Sequence, residues 1–279
     1  MIGFWIVNLL IPEEPQTLAV KTASGNWTSD KASYYARSVN GLQSGQCANT
    51  YAIEHPVTMN DGAATCDLAL EEMTPLLLGA SYLCGLSVTA KHSLPHSDVT
   101  IMRPSDHWPR ERSMGCGNSV VSTQLEFAEV LEAFIGAWPG PGKGAKALLL
   151  IHHWLDSLAC WSFEDLYLSA TTLLQIIAAT EEAIQGRKLD YFTAVTAASR
   201  RAGVYALSRD FKDMRNNLVH EGRLLGGKFS GTTLRDCAAV AADVFNWFDA
   251  YMHSVLGLGV VRRKRFTSAD FVDLNAYSI

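Results

Sequence analysis

Arg215, Asn216 and His220 stand within six residues of one another, in the run Arg215-Asn216-Asn217-Leu218-Val219-His220. Their types suit one reaction well: cleavage of an RNA phosphodiester by its neighbouring 2′-hydroxyl. That reaction needs a base for the hydroxyl, a proton for the departing 5′-oxygen, and positive charge on the pentavalent phosphorus centre. An imidazole titrates near neutrality and serves as base or acid. A guanidinium matches two phosphate oxygens at once and keeps its proton. The amide of Asn216 can hold the imidazole tautomer or donate to a phosphate oxygen. The chemistry calls for neither metal nor cofactor. Arg200, Arg201, Arg209 and Lys212 lie just upstream and are candidates for a local phosphate-binding patch, with a solvated face paired to Asp210 and Asp213 as the alternative.

A helix must carry these residues. Asn216 and His220 are four apart and share a face, whereas Arg215 lies about 140° around from His220 at 100° per residue, within reach of its long side chain. Gly222 supplies a stop directly after. The pattern predicts helices over Thr123–Ala137, Lys146–Trp161, a span opened by Ser162 and closed by Gly186, Tyr191–Ala206, Ser208–Glu221 and Thr232–Leu256. Ser162 with Asp165 three residues on reads as a capping box. Trp138-Pro139-Gly140-Pro141-Gly142 reads as a stop, and as a linker or sharp turn. Short connections between long helices predict an antiparallel bundle.

Residues 1–121 have a different texture, with short apolar stretches between turn signals such as Asn60-Asp61-Gly62. Candidate strands are Phe4–Leu10, Thr17–Lys21 and Val99–Met102. Leu68–Leu83 has helical spacing, with Pro75 marking a boundary or first turn. The expected class is therefore α+β: a mixed α/β domain over 1–121, then an all-α bundle over 122–279 with a basic tail, Arg262-Arg263-Lys264-Arg265.

Composition sets outer limits. Nearly half of the 279 residues are apolar and 18% are charged, so a packed core is expected. A net charge of −5 excludes a surface coated throughout in cations for nucleic acid. Six scattered cysteines without a C-x-x-C pair predict reduced thiols and no structural zinc. His152-His153, and His92 with His96, are read as ordinary helix and loop residues rather than ligands. Trp154, Trp161 and Trp247 are read as core or interface residues. The apolar start, MIGFWIVNLLIPEEP, lacks a basic leader and is too short to span a bilayer. A buried strand in a cytoplasmic protein with no membrane partner is the expectation.

The string R-N-x-x-x-H near a helix end, followed by a long final helix, resembles the hallmark of the HEPN superfamily. Members are helical bundles that dimerise so that two R-x4-6-H motifs meet in one cleft. Many are metal-independent endoribonucleases of toxin–antitoxin, CRISPR and phage-defence systems. The resemblance covers about 122–258, and a partly β domain ahead of the bundle resembles the ApeA-type arrangement of phage defence. It implies that Arg215 and His220 are catalytic and Asn216 supporting. It also implies that the chain pairs with a second copy through its bundle, and that RNA, tRNA among the candidates, is the substrate. Gly222 stands where HEPN toxins paired with nucleotidyltransferases carry Tyr, which separates this chain from that branch. Some members add an acidic residue on an earlier helix; Glu164, Asp165, Glu181 and Glu182 all qualify here. A non-catalytic HEPN dimer that binds RNA or protein is the other reading in view. A third has residues 1–120 holding a small molecule, for which an apolar pocket would speak.

Overall fold

The computed structural model describes residues 1–57, 63–100, 105–113 and 118–277. Its contacts divide the chain into two compact units, Met1–Lys143 and Gly144–Ile279. The first is a sheet with helices and the second is helical, as an α+β reading requires.

In the first unit β1 (Ile2–Val7), β2 (Thr17–Lys21), β3 (Asn26–Lys31), β4 (Asn49–His55) and β5 (Thr89–Ser93) form one sheet in the order β2-β3-β4-β1-β5. Every pairing is antiparallel. β1 is almost wholly buried and sits between two partners, which accounts for its continuous apolar run. It stops short of the expected Leu10 because Asn8 takes a positive φ of 63°. The Asn8 amide donates to the carbonyls of Ser87 and Arg112 at 3.2 and 3.0 Å, so the side chain is a tie point rather than a strand residue. β2 falls on the expected residues. In the candidate strand Val99–Met102, Val99 and Thr100 are not strand, while 101–102 lie outside the described residues, as does Asn60-Asp61-Gly62.

Helix α1 (Tyr35–Gln43) packs on β4, with Tyr35 and Tyr51 edge-to-face at 5.4 Å. Helix α2 (Ala63–Cys84) continues through Pro75, which is neither the boundary nor the first turn that the sequence predicts. An interior proline costs roughly 3 kcal/mol. Met73, Leu76, Leu77 and Leu78 are each at most 3% exposed, and their burial outweighs that loss. Helix α3 (Gln124–Ala137) packs on α2 and β2, and so belongs with the sheet rather than with the helices that follow. The approach is close: a β-carbon on Gly79 would stand 2.7 Å from Leu131 and 2.9 Å from Phe134. The predicted stop after α3 is a π-helical turn, Trp138–Gly142, ending at the unit boundary.

The second unit contains α4 (Ala147–Leu158), α5 (Phe163–Gln185), α6 (Tyr191–Ala202), α7 (Asp210–Glu221), α8 (Leu234–Leu256) and the short α9 (Ala269–Val272). α5 touches α4, α6, α7 and α8, and Trp154, Tyr167, Phe211, Trp247 and Tyr251 are fully enclosed among them. Glycines 186, 203, 222 and 257 close α5, α6, α7 and α8 with φ of 65–68°. This left-handed turn favours glycine. Ser162 caps α5 by accepting from the Asp165 amide at 3.1 Å, while the reciprocal capping box is found at Thr233 and Asp236 on α8.

The C-terminal segment is docked rather than trailing. Phe245, Phe266 and Phe271 form an aromatic cluster, and the Phe163 amide donates to the Asn275 carbonyl at 2.8 Å. Trp154 and Trp247 are core residues, but Trp161 is 86% exposed. None of the described cysteines is in a disulfide; Cys84 and Cys237 are buried, while Cys47, Cys66 and Cys160 are half-buried. Among the described residues no helix is long and apolar enough to cross a membrane.

Candidate functional site

α7 presents the motif because part of it packs inward. Phe211, Asp213, Met214 and Asn217 are buried. His220 follows Phe211 by nine residues, about 180° around the helix. It is exposed, in the last turn before Gly222. The depth of α7 is set by Tyr167 on α5, whose hydroxyl donates to the Phe211 carbonyl at 2.5 Å.

Arg215 is half-buried. Its Nη1 donates to Asn216 Oδ1 at 3.4 Å, and its guanidinium lies 6.0 Å from the ring centroid of Tyr191. Tyr191 is itself fixed, edge-to-face with Phe211 at 5.5 Å and donating to the Thr171 carbonyl at 2.9 Å. Burial pushes the Tyr191 phenol up, and the Arg215 charge works against that shift. Among the described residues, Arg215 has no carboxylate in ion-pair contact and His220 has no hydrogen bond or ion pair. The adjacent Asn217 donates to the Gly226 carbonyl and latches the loop after α7 back onto the helix. That loop must pass close, since a β-carbon on Gly227 would run into the Asn217 amide.

The upstream cations are placed differently. Arg209 lies over Phe192 at 5.8 Å and pairs with Asp213 at 3.5 Å. Lys212 pairs with Asp190 at 2.7 Å, and that hydrogen bond leads in holding the Asp190 carboxyl below its usual range. The same Asp190 caps α6 through the amides of Phe192 and Thr193. Arg201 turns inward to Glu181 at 2.7 Å and to the Tyr251 hydroxyl at 3.4 Å. Arg200 is exposed, beside a shallow cleft of about 320 Å³ that Phe192 also lines.

The structure therefore joins Arg215 to Asn216 on the helix that carries His220. It engages three of the four upstream cations with acids of their own. Of the acidic residues on α5, Glu181 is taken by Arg201, Glu182 accepts from the Leu189 amide at 2.9 Å, and Glu164 accepts from the Tyr277 amide at 2.7 Å. His153 meets the Ser169 carbonyl at 3.2 Å and His96 pairs with Glu54 at 2.8 Å. Among the described residues no three His, Cys, Asp or Glu side chains gather into a metal-binding group. Tyr191 and Asn217 support the site and carried no motif of their own; each shows its role only through partners on other elements.

A Ser24–His55–Glu72 cluster in the first unit invites a hydrolytic reading but has the wrong wiring. Ser24 donates directly to Glu72, and His55 Nε2 stands 3.2 Å from the same Ser24 oxygen. With the serine proton on the carboxylate, the imidazole donates to the serine instead of activating it. His55 Nδ1 has no partner, so no acid orients the ring. Glu72 also accepts from Thr22 at 2.6 Å, the Ser24 amide at 3.0 Å and Trp27 at 3.3 Å. Burial opposes ionisation there, yet these donors together hold the carboxyl below its usual range. The cluster staples the β2–β3 turn to α2.

Compared with family models, curated proteins and solved structures, the chain matches none.

Proposed function

We propose that the second unit is a metal-independent endoribonuclease whose active site is completed by a second copy of the chain. The supporting observation is the contrast among its cations. Arg209, Lys212 and Arg201 are each held by a carboxylate, while Arg215 forms no ion pair among the described residues and shares its helix with an exposed His220. A phosphate is the natural counter-charge for such a guanidinium. In this reading His220 moves the proton, Arg215 stabilises the pentavalent phosphate and Asn216 orients Arg215. The 2′-oxygen bonds to phosphorus as the 5′-oxygen leaves with a proton, giving 2′,3′-cyclic phosphate and 5′-hydroxyl ends. The motif offers one Arg and one His per chain, so pairing of two copies supplies acid and base together. A role in phage defence or as a toxin follows from the HEPN resemblance.

The test is cleavage of total tRNA and of a generic single-stranded RNA in EDTA, with His220→Ala and Arg215→Ala confirmed folded and dimeric. Loss of a general acid or base costs about 10²–10⁴-fold in rate and loss of one transition-state charge contact about 10²–10³-fold, so both variants are expected to fall by at least about 10²-fold. Cleavage that survives both substitutions overturns the assignment. Inactive wild type that still binds RNA as a dimer favours a non-catalytic binding module.

A second reading concerns the first unit, where a cleft of about 480 Å³ has apolar walls from Leu68, Pro75, Ile135 and Trp138, with three acids, Glu71, Glu72 and Glu132, against one cation, Lys21, in its lining. We infer a sensing site for a small cationic ligand with an apolar body. Amine and guanidinium compounds that saturate such a site at about 100 times Kd should stabilise the unit by about 2.7 kcal/mol. No shift in melting temperature with any of them would dismiss this reading.

A further inference from the structure

Along α6, Phe192, Thr196 and Arg200 follow one another at intervals of four residues and so share a face of the helix. That face is one wall of the groove of about 320 Å³; the end of α5 and the turn after it supply the other, with Gln185, Arg187 and Leu189. At 1.5 Å per residue the stretch from Phe192 to Arg200 is about 12 Å long. No acid is among the lining residues.

Both arginines of the groove are uncommitted to any carboxylate among the described residues. Arg187 is exposed and donates from Nε to the neutral Gln185 Oε1 at 3.3 Å, which holds the group in place without cancelling its charge. Arg200 is exposed and forms no ion pair or side-chain hydrogen bond. The acids of α5 go to the neighbouring cations instead: Glu182 to Lys188 at 3.6 Å, and Glu181 to Arg201 at 2.7 Å. Two positive charges therefore share the groove with no negative one.

One end of the groove adjoins the α7 motif. Phe192 stacks on Phe211 at 5.9 Å, and Tyr191 meets the same ring edge-to-face at 5.5 Å. Tyr191 in turn has the Arg215 guanidinium 6.0 Å from its centroid, while Arg209 lies over Phe192 at 5.8 Å. Guanidinium groups thus continue from Arg215, past the two aromatic rings, into the groove. A cationic groove with an aromatic side chain is the common means of holding single-stranded nucleic acid without regard to sequence.

We propose that this groove carries the RNA strand away from the phosphate on Arg215, its further phosphates on Arg187 and Arg200 and a base against Phe192. The choice of RNA rests on the ribonuclease reading of α7, and continuity with that motif is what selects a nucleic-acid strand over an acidic peptide.

The test is fluorescence anisotropy of the full chain with a labelled hexamer of 2′-O-methyl uridylate. That probe has no free 2′-hydroxyl and stays uncut whether or not the chain is a nuclease. Arg187→Gln/Arg200→Gln, confirmed folded by its melting temperature, should weaken binding by about tenfold or more, since each lost contact is a charge-assisted hydrogen bond. It should also lower the slope of log Kd against log salt by about 1.4, at about 0.7 for each phosphate contact on a single strand. A substitution that only loosened the fold would leave that slope in place. Lys188→Gln removes a charge that is 95% exposed and outside the lining, and should change the affinity by less than about threefold. Binding with this dependence upholds the groove even if wild type cuts no RNA, so the two readings fail separately. No binding at about 1 mM chain in low salt overturns the proposal. So does binding that ignores the double substitution or falls as far with Lys188→Gln. A hexapeptide of glutamate that binds as tightly as the strand, through the same two arginines, refutes the choice of nucleic acid.

Discussion

The Asp249–Arg265 pair permits a quantitative test of how the C-terminal segment is held. Both side chains are sealed from solvent, at 1% and 0% exposure, and meet through two parallel contacts of 3.0 Å. Replacing Asp249 by Leu leaves a guanidinium buried without its counter-charge, and replacing Arg265 by Met leaves the carboxylate in the same position. Each loss of one partner from a buried pair costs about 3–5 kcal/mol. The double variant Asp249→Leu/Arg265→Met buries two apolar chains of similar volume instead, which is close to neutral. Two singles near 4 kcal/mol with a double near zero give a coupling of several kcal/mol, well above the 0.5 kcal/mol expected of independent sites. With a slope of about 2 kcal/mol per molar urea, each single should lower the midpoint by about 2 M. Tryptophan fluorescence reads it directly, because Trp154 stacks under Arg265. Singles that cost less than about 1 kcal/mol, or effects that simply add, would refute the picture of a buried ionic peg.

Three smaller perturbations test other parts. His55 is buried, and burial leads in holding its imidazole below the usual value of 6.5. The unfolded chain then takes up that proton first, so stability is full above about pH 6.5 and falls as the pH drops below it; His55→Gln should flatten urea midpoints measured from pH 7.5 to 5. Thr233→Ala removes the capping box of α8 and should cost about 1–2 kcal/mol by thermal melting. Gly222→Ala meets nothing within 4 Å but must hold a φ of 68°, so it should cost about 1 kcal/mol, from strain alone.

Helix ends were legible from sequence because they are decided locally. Ser162, Gly186, Gly222 and Gly257 act through their own backbone or one residue three places away. Strands β3 and β5 were not, because Asn-Trp-Thr-Ser-Asp-Lys and Thr-Ala-Lys-His-Ser carry little apolar signal. They are strands because β4 and β1 pair with them from far along the chain. The same limit governs the site. The face shared by Asn216 and His220 follows from helical spacing. That Lys212 belongs to Asp190, Arg201 to Glu181 and Arg265 to Asp249 depends on partners 16–22 residues away on other elements. A basic run reads as solvated unless its partner is known, which is how a sealed arginine passed for part of a tail.

The latch between Asn217 and Gly226 bears on which length changes the gene can survive. A codon inserted between Phe211 and His220 would turn the histidine by about 100° and break the spacing that keeps it outside. A deletion in the loop up to Gly227 would pull Asn217 off its carbonyl, although it lies beyond the motif. Both sides of His220 are therefore closed to insertion and deletion, and variation in length should collect outside the stretch from Phe211 to Gly227.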